Sequence, residues 1–339
     1  MKNITPVALL ACTLLLSSAV CARESGFQIE SFTDTKRTRP VLIDWWYPVD
    51  DAPASTFNYG LGTGRIAEAG AIAPGRFPLV MLSHGALGAA RNYSWIAEAL
   101  ARQGFVVAGV SHFGESYVYG SDSIDPQAVL QHWERPEDVR VALDFILSES
   151  AFRESVNGQR VGFVGHSSGG ATALQLAGVR TDSQRMSHYC NSPKAIKDRG
   201  CDYARNVPDT ALSQIQTPAA MHDYRDSRLR AFVALDPALG PAFHDYSSVP
   251  PGLRVLLIAS SNNDFLTFEH HASAIAARLP QAQKLWLDNG KGHFVYLNPC
   301  ALDIDANGVA LCQDRSGVDR VGVQRQLRSR IVAFFKESL

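Results

Sequence analysis

The chain has 339 residues, 46% of them hydrophobic and 19% charged, and 33 acidic groups against 32 Lys and Arg leave a net charge of −1. That composition suits a soluble globular chain with a core sufficient for one large domain or two small ones. No long run of Lys or Arg occurs, which excludes the electrostatic footprint of a nucleic-acid-binding protein.

The chain opens with Lys2 and a mostly apolar run from Val7 to Val20. Val20-Cys21-Ala22 then offers small residues at −3 and −1, the pattern of an export signal cleaved after Ala22. At fourteen residues the apolar run is too short to span a bilayer. A lipid anchor at Cys21 is the competing reading, but Val20 stands where Gly or Ala is expected and Ser18 where Leu is expected. The expected organisation is therefore a signal peptide over 1–22 and one catalytic-size domain over 23–339, located in the periplasm or secreted, with no stable membrane span.

Residues 27–50 hold two strand-like runs, the second being Val41 to Pro48, rich in aromatic and β-branched side chains. Residues 51–76 are rich in Gly, Ala and Pro and read as a surface loop; their glycines do not fit a dinucleotide fingerprint. Phe77 to Ser83 is a buried strand that breaks into His84-Gly85-Ala86-Leu87-Gly88. A helix is expected over 91–103, with Trp95, Ile96 and Leu100 on its apolar face and Gly104 ending it. Phe105 to Val110 is the next strand. A loop to about residue 134 leads into a helix whose start is marked by Pro136, Glu137 and Asp138. A strand over 160–164 and a helix through Leu176 follow. The strand–helix rhythm breaks over 180–228, which is polar and without clear period. It resumes with strands Arg230–Leu235 and Val255–Ala259, a helix over 267–279, a strand Lys284–Leu287 and a closing amphipathic helix with Val323, Leu327, Ile331 and Phe335 on one face. Alternation of this kind implies an α/β fold: a mainly parallel, doubly wound sheet covered on both faces, interrupted by a cap-like insertion at about 180–228.

Four of the six cysteines follow the signal segment: Cys190, Cys201, Cys300 and Cys312. An even count in an exported chain argues for disulfides. Three pairings are possible. The local one, Cys190–Cys201 with Cys300–Cys312, is favoured because each pair closes a short polar loop. Zinc is set aside, because there is no C-x-x-C and no His at ligand spacing.

Gly165-His166-Ser167-Ser168-Gly169 fits the G-x-S-x-G pattern of a nucleophile elbow, a strained strand-to-helix turn that lifts a serine hydroxyl out of the fold. A serine is a weak nucleophile without a base, an acid and an oxyanion site. The base candidate is His293, in the small-residue loop after the last strand. His270 and His271 lie in a helix and are expected to be solvated; His166 is expected to pack rather than react. Two acids follow predicted strands. Asp264 lies 29 residues before His293 in the commoner location and is preferred; Asp236, in Ala234-Leu235-Asp236-Pro237, is the alternative. The oxyanion hole is expected to use the Ser168 amide and the Ala86 amide, with Leu87 second; one such donor is typically worth about 3 kcal/mol in the transition state. Elbow, acid and base follow the chain order of an α/β-hydrolase. The chemistry requires no cofactor and no metal. Tyr189, Tyr203 and Tyr224 of the insertion could line a pocket, but packing within the insertion is the preferred reading.

His84-Gly85-Ala86-Leu87-Gly88 followed by Ala101 to Ala108 resembles the plasma-type platelet-activating-factor acetylhydrolases and their bacterial dienelactone-hydrolase-like relatives, as do Arg39 to Pro48 and Gly292 to Cys300. The resemblance covers most of the chain except 51–76 and 180–228. It implies an α/β-hydrolase fold and a serine ester hydrolase acting on a small-molecule or lipid ester. The acetylhydrolases take their acid after the earlier strand, which corresponds to Asp236. The cutinase-like polyester hydrolases take it after the later one, in a segment similar to Asn263-Asp264. Serine rather than cysteine at the elbow departs from true dienelactone hydrolases and makes dienelactone an unsuited substrate. The expected function is thus cleavage of carboxylic esters through an acyl-enzyme. Phospholipid or polyester cleavage are the alternatives within that class, and a non-catalytic binding protein on the same fold is the rival outside it.

Overall fold

A computed structural model describes residues 23–68, 70–205, 217–288 and 290–339. The expected signal peptide at 1–22 and part of the insertion lie outside the described residues. Eight strands form the central sheet: β1 (Arg23–Asp34), β2 (Arg39–Asp50), β3 (Phe77–Ser83), β4 (Val106–Ser111), β5 (Val156–His166), β6 (Leu229–Leu235), β7 (Arg254–Ser260) and β8 (Gln283–Leu287). Their order is β1-β2-β4-β3-β5-β6-β7-β8. β1, β2 and β4 pair antiparallel, and every later neighbour pairs parallel. Near-continuous apolar runs such as Phe77–Ser83, buried at all seven positions, are what a sheet covered on both faces requires.

Side chains alternate across that sheet, and each face meets its own helices. Leu79 and Met81 join a core with Val139, Leu143 and Ile146 of α2 (Glu134–Ser148), Leu174 of α3 (Ser168–Leu176) and Ile275 of α5 (Ala274–Arg278). Val80 and Leu82 face the other way, toward Ile96 and Leu100 of α1 (Ser94–Arg102) and Leu327, Ile331 and Phe335 of α6 (Arg320–Ser338). The architecture is an α/β-hydrolase fold, doubly wound as the alternation implied.

The structure departs from the sequence reading in two places. Residues 51–76 are not a featureless loop: Ser55–Asn58 and Thr63–Ile66 form a hairpin, and Tyr59, Leu61 and Ile66 are buried. α1 begins later than expected, behind a 3-10 turn at Ala90–Tyr93, whereas α2 begins at Glu134, where the expected loop ends. The described residues of the insertion show no period because they form pieces too short to have one: α4 (Ser183–Cys190), 3-10 turns at Pro193–Ala195 and Arg199–Cys201, and a single helical turn at Asp202–Arg205. Disulfides join Cys190 to Cys201 and Cys300 to Cys312. Among the described residues no helix is long and apolar enough to cross a membrane.

Candidate active site

The carboxyl ends of β3, β5, β6, β7 and β8 all open on one edge of the sheet, and each carries a residue singled out by the sequence. β5 runs into Ser167, which holds φ +55° and ψ −115° ahead of α3. Such a backbone costs a non-glycine residue about 1–3 kcal/mol and persists only where its surroundings over-determine it. Here they do. The Ser167 N–H donates to the Leu235 carbonyl (2.9 Å), and the Ser167 carbonyl accepts from Ala171 (2.9 Å) and Ala238 (3.0 Å). The flanking glycines have no room for a side chain: a Cβ on Gly165 would lie 2.1 Å from the Gly169 carbonyl, and one on Gly169 would lie 2.1 Å from the Ser83 carbonyl.

The loop after β3 lies against this turn: a Cβ on Gly85 would lie 3.4 Å from Ser167 Cβ. The Gly85 carbonyl is held by three donors: His84 Nδ1 (2.6 Å), the Gly88 amide (3.2 Å) and Arg135 Nη2 (3.4 Å). In a trans peptide the N–H points away from the carbonyl, so pinning this oxygen aims the Ala86 N–H out of the loop. Neither the Ala86 nor the Ser168 amide has a hydrogen-bond partner among the described residues. Both are therefore free donors beside Ser167, and Ala86, Ser167 and Ser168 all line clefts that meet there. Arg135 is buried, pairs in bidentate fashion with Glu115 (2.8 and 2.6 Å) and also donates to the His84 carbonyl (2.6 Å). Burial, then the charge of Arg135, pushes the His84 imidazole well below its ordinary pKa. Its Nε2 accepts from the His112 amide (3.0 Å), leaving the proton on Nδ1, where the Gly85 carbonyl needs it.

His293 opens a 3-10 turn after β8 and is fully buried. Its ring stacks on Phe265, with centroids 5.1 Å apart and planes 10° from parallel. The two candidate acids meet it at different atoms. Asp236, at φ +39°, presents Oδ2 to His293 Nδ1 at 3.5 Å, while its Oδ1 accepts from the Ser260 amide (2.8 Å). Asp264, the preferred candidate from sequence, instead accepts the main-chain N–H of His293 at 2.8 Å and pairs with Arg315 (3.0 Å). The structure thus brings the alternative aspartate, not the preferred one, to the ring. At 3.5 Å the Asp236 contact is looser than a formed hydrogen bond, as catalytic contacts in resting sites often are. Asn263 Nδ2 also lies 3.3 Å from Nδ1, while its Oδ1 is committed to the Phe265 and Leu266 amides. Among the described residues His293 Nε2 is buried without a hydrogen-bond partner, and His293 and Ser167 line the same cleft.

Burial pushes the Asp236 carboxyl above its ordinary value, against the pull of the His293 ring. The Tyr296 hydroxyl is buried nearby, and burial and the Asp236 charge push it well up. His166, Asp236 and His293 come close enough to hold a metal ion, but a metal would need His166 nitrogens that already face the Tyr93 hydroxyl and the His293 carbonyl.

Two clefts meet at Ser167. One runs under the insertion and is walled by Met186, Cys190, Tyr203 and Leu239. The other runs past Ala86 and Leu87 toward Leu302, Ile304 and Leu311 of the Cys300–Cys312 loop. Of the three insertion tyrosines, Tyr203 lines both clefts. Tyr189 packs against the Cys190–Cys201 disulfide, and Tyr224 against Trp133. His271 is not solvated as expected. It is buried, and its Nε2 bonds Asp198 of the insertion at 2.8 Å. Sequence reading also missed Tyr93, Arg135, Asn263 and Phe265 around the site. No motif marks them, because they reach it from three separate segments: the 3-10 turn of Tyr93, the helix of Arg135 and the loop that carries Asn263 and Phe265.

A protein-family model described as Chlorophyllase matches residues 69–188, the segment holding both the Gly85–Gly88 loop and the elbow. The chain is similar to a bis(hydroxyethyl) terephthalate hydrolase of Streptomyces coelicolor, 29% identical over 140 residues, 41% of each chain. It is also similar to a cutinase of Thermobifida alba, 31% identical over 106 residues, 30% of this chain and 31% of that one. The chain therefore spans well under half the length of these relatives. Among solved structures, a ferulic acid esterase from Streptomyces cinnamoneus superposes with a TM-score of 0.57 over 95% of this chain and 91% of that chain at 18% identity, a likeness of fold. These relatives fall on the cutinase-like side of the resemblance drawn from the sequence; the acetylhydrolase side is carried by the sequence motifs alone.

Proposed function

We propose that the protein is an exported serine hydrolase that cleaves carboxylic esters. The observation that carries this reading is the meeting, at one sheet edge, of a strained Ser167, a buried His293 facing Asp236 at 3.5 Å, and two uncommitted amides at Ala86 and Ser168. Ser167 attacks the ester carbonyl while His293 Nε2 takes its proton. The oxyanion lies on the Ala86 and Ser168 amides. Asp236 holds the Nδ1–H tautomer of His293 and stabilises the imidazolium. His293 then protonates the departing alkoxide, and in the second half it activates water to release the acid from Ser167. Asp264 acts on the His293 main chain rather than on its ring. The two disulfides support an oxidising location, periplasmic or extracellular. The cap-side and loop-side clefts would separate the acyl and alcohol parts of the ester. Terephthalate-type and cutin-type esters are the first substrates to try, since the relatives named above act on such esters; phospholipid sn-2 esters are next.

Ser167→Ala is expected to lower p-nitrophenyl ester hydrolysis by at least about 10⁴-fold and to abolish covalent labelling by a fluorophosphonate. A variant that keeps both activities would sink the proposal. Stoichiometric labelling at Ser167 in the wild type excludes the non-catalytic binding protein.

A further inference from the structure

His166 occupies the variable position of the elbow, fully buried, with a donor or acceptor at each ring nitrogen. Its Nε2 lies 3.0 Å from the His293 carbonyl oxygen, and its Nδ1 lies 2.8 Å from the Tyr93 hydroxyl. A carbonyl can only accept, so Nε2 carries the proton and Nδ1 is the lone pair. The Tyr93 hydroxyl must then donate to Nδ1. That leaves its oxygen free to accept the Gly85 N–H, which lies 3.1 Å away. One directed chain results: Gly85 N–H to Tyr93 Oη, Tyr93 O–H to His166 Nδ1, His166 Nε2–H to the His293 carbonyl. The Tyr93 oxygen accepts one bond and donates one, each ring nitrogen of His166 makes one, and Tyr93, His166 and His293 are all buried.

We infer that His166 is a positioning residue, which holds the main chain of His293 and ties it through Tyr93 to the oxyanion loop. The inference rests on the triad reading above. The need for such a tie follows from the local backbone. His293 comes after Gly290, at φ +73°, and Gly292, a stretch with little intrinsic preference. Its N–H is taken by Asp264 and its C=O by His166, so the peptide units on either side of the base are gripped by different elements. The ring, thus hung, reaches Asp236 without being fixed by it. Burial, then the His293 ring, keeps His166 far below its ordinary pKa. It therefore stays neutral while His293 takes up a proton, and the chain keeps its direction through the reaction.

Imidazole NMR of the whole protein labelled with ¹⁵N-histidine reads the tautomer, whether or not any ester is cleaved. His166 is expected to carry its proton on Nε2, with Nδ1 bare. A proton on Nδ1 overturns the inference and leaves the esterase reading standing, whereas unaltered hydrolysis by Ser167→Ala overturns the triad reading itself, whatever the tautomer of His166. Kinetically, His166→Leu is expected to lower kcat about 30-fold with KM within about twofold, and to cost less than about twofold in a His293→Ala background, because it acts through His293. An equal loss in both backgrounds, or full kcat in a folded His166→Leu, overturns it. Should His166→Leu fail to fold, His166→Gln decides, because its amide can still donate to the His293 carbonyl. It is expected to keep kcat within about fivefold, and a loss of about a hundredfold in folded protein overturns the inference.

Discussion

Asp236 and Asp264 lie on adjacent loops and both touch His293, yet they have different consequences for it. Asp236 is set against the ring and is fully buried; Asp264 grips the main chain and is shared with Arg315. Asp236→Asn is expected to lower kcat by about 10³–10⁴-fold, since an amide can present the wrong partner to Nδ1–H. Asp264→Asn is expected to cost about tenfold, through looser placement of the base. Stability moves the other way. A carboxyl whose folded pKa is raised contributes to the fold below its unfolded value near 3.8 and loses that contribution as pH rises through the folded value. Ionised Asp236 is therefore a burden at neutral pH, and Asp236→Asn should melt at or above the wild-type temperature at pH 7 and lose that advantage near pH 4. A lower melting temperature at neutral pH would show that the carboxylate is a net stabiliser. The sequence offered both aspartates because both follow a strand. It did not separate them, because a strand's end says which edge a residue reaches and not which atom of a partner it meets.

At the scale of elements, the insertion is anchored by a network the sequence did not suggest. Asp198 accepts from His271 Nε2 (2.8 Å), Tyr189 (2.8 Å) and Thr267 (3.1 Å), tying the 3-10 turn at Arg199–Cys201 to the helix that runs into α5. Burial raises the Asp198 carboxyl, but the charge and hydrogen bond of His271 and the two hydroxyls outweigh it and hold it at about 2. For a carboxyl held low, the stabilisation is present above the unfolded value of 3.8 and is lost as pH falls through about 2. At neutral pH it is worth about 2 kcal/mol. Asp198→Asn should thus lower the melting temperature at pH 7 and quicken proteolysis within the insertion. The gap to wild type should close between about pH 4 and pH 2. A gap that persists at pH 2 would assign the effect to packing. The histidine pair at 270 and 271 looked alike in sequence. Neighbouring positions of a helical turn face different ways, and the turn at Glu269–Ser273 buries His271, a distinction that only the packing partner reveals.

At the scale of the molecule, each cleft is bordered by a loop that a disulfide closes. Cys190–Cys201 belongs to the cap side, and Cys300–Cys312 closes the loop that bears Leu302 and Ile304. Each closes a loop of about a dozen residues, for which chain entropy suggests about 3 kcal/mol. Replacing both cysteines of either pair by Ser is expected to lower stability by about that amount in urea unfolding. The Cys190 and Cys201 pair should also raise KM for bulky esters more than for acetate esters. An unchanged chain-length preference would detach the insertion from substrate selection.

What the sequence determined by itself was local: the near-continuous apolar runs of the buried strands, the apolar faces of α1 and α6, the Gly165 and Gly169 positions where no Cβ fits, and the short cysteine loops. These depend on steric and hydrophobic patterns within about twenty residues. The tertiary structure alone decided which aspartate faces His293 from 57 residues away, how His166 and Tyr93 join three loops, and how the periodless insertion walls a cleft. Those depend on strand register and loop curvature, which bring distant polar atoms to within 3 Å or hold them apart and leave no periodic mark on the chain.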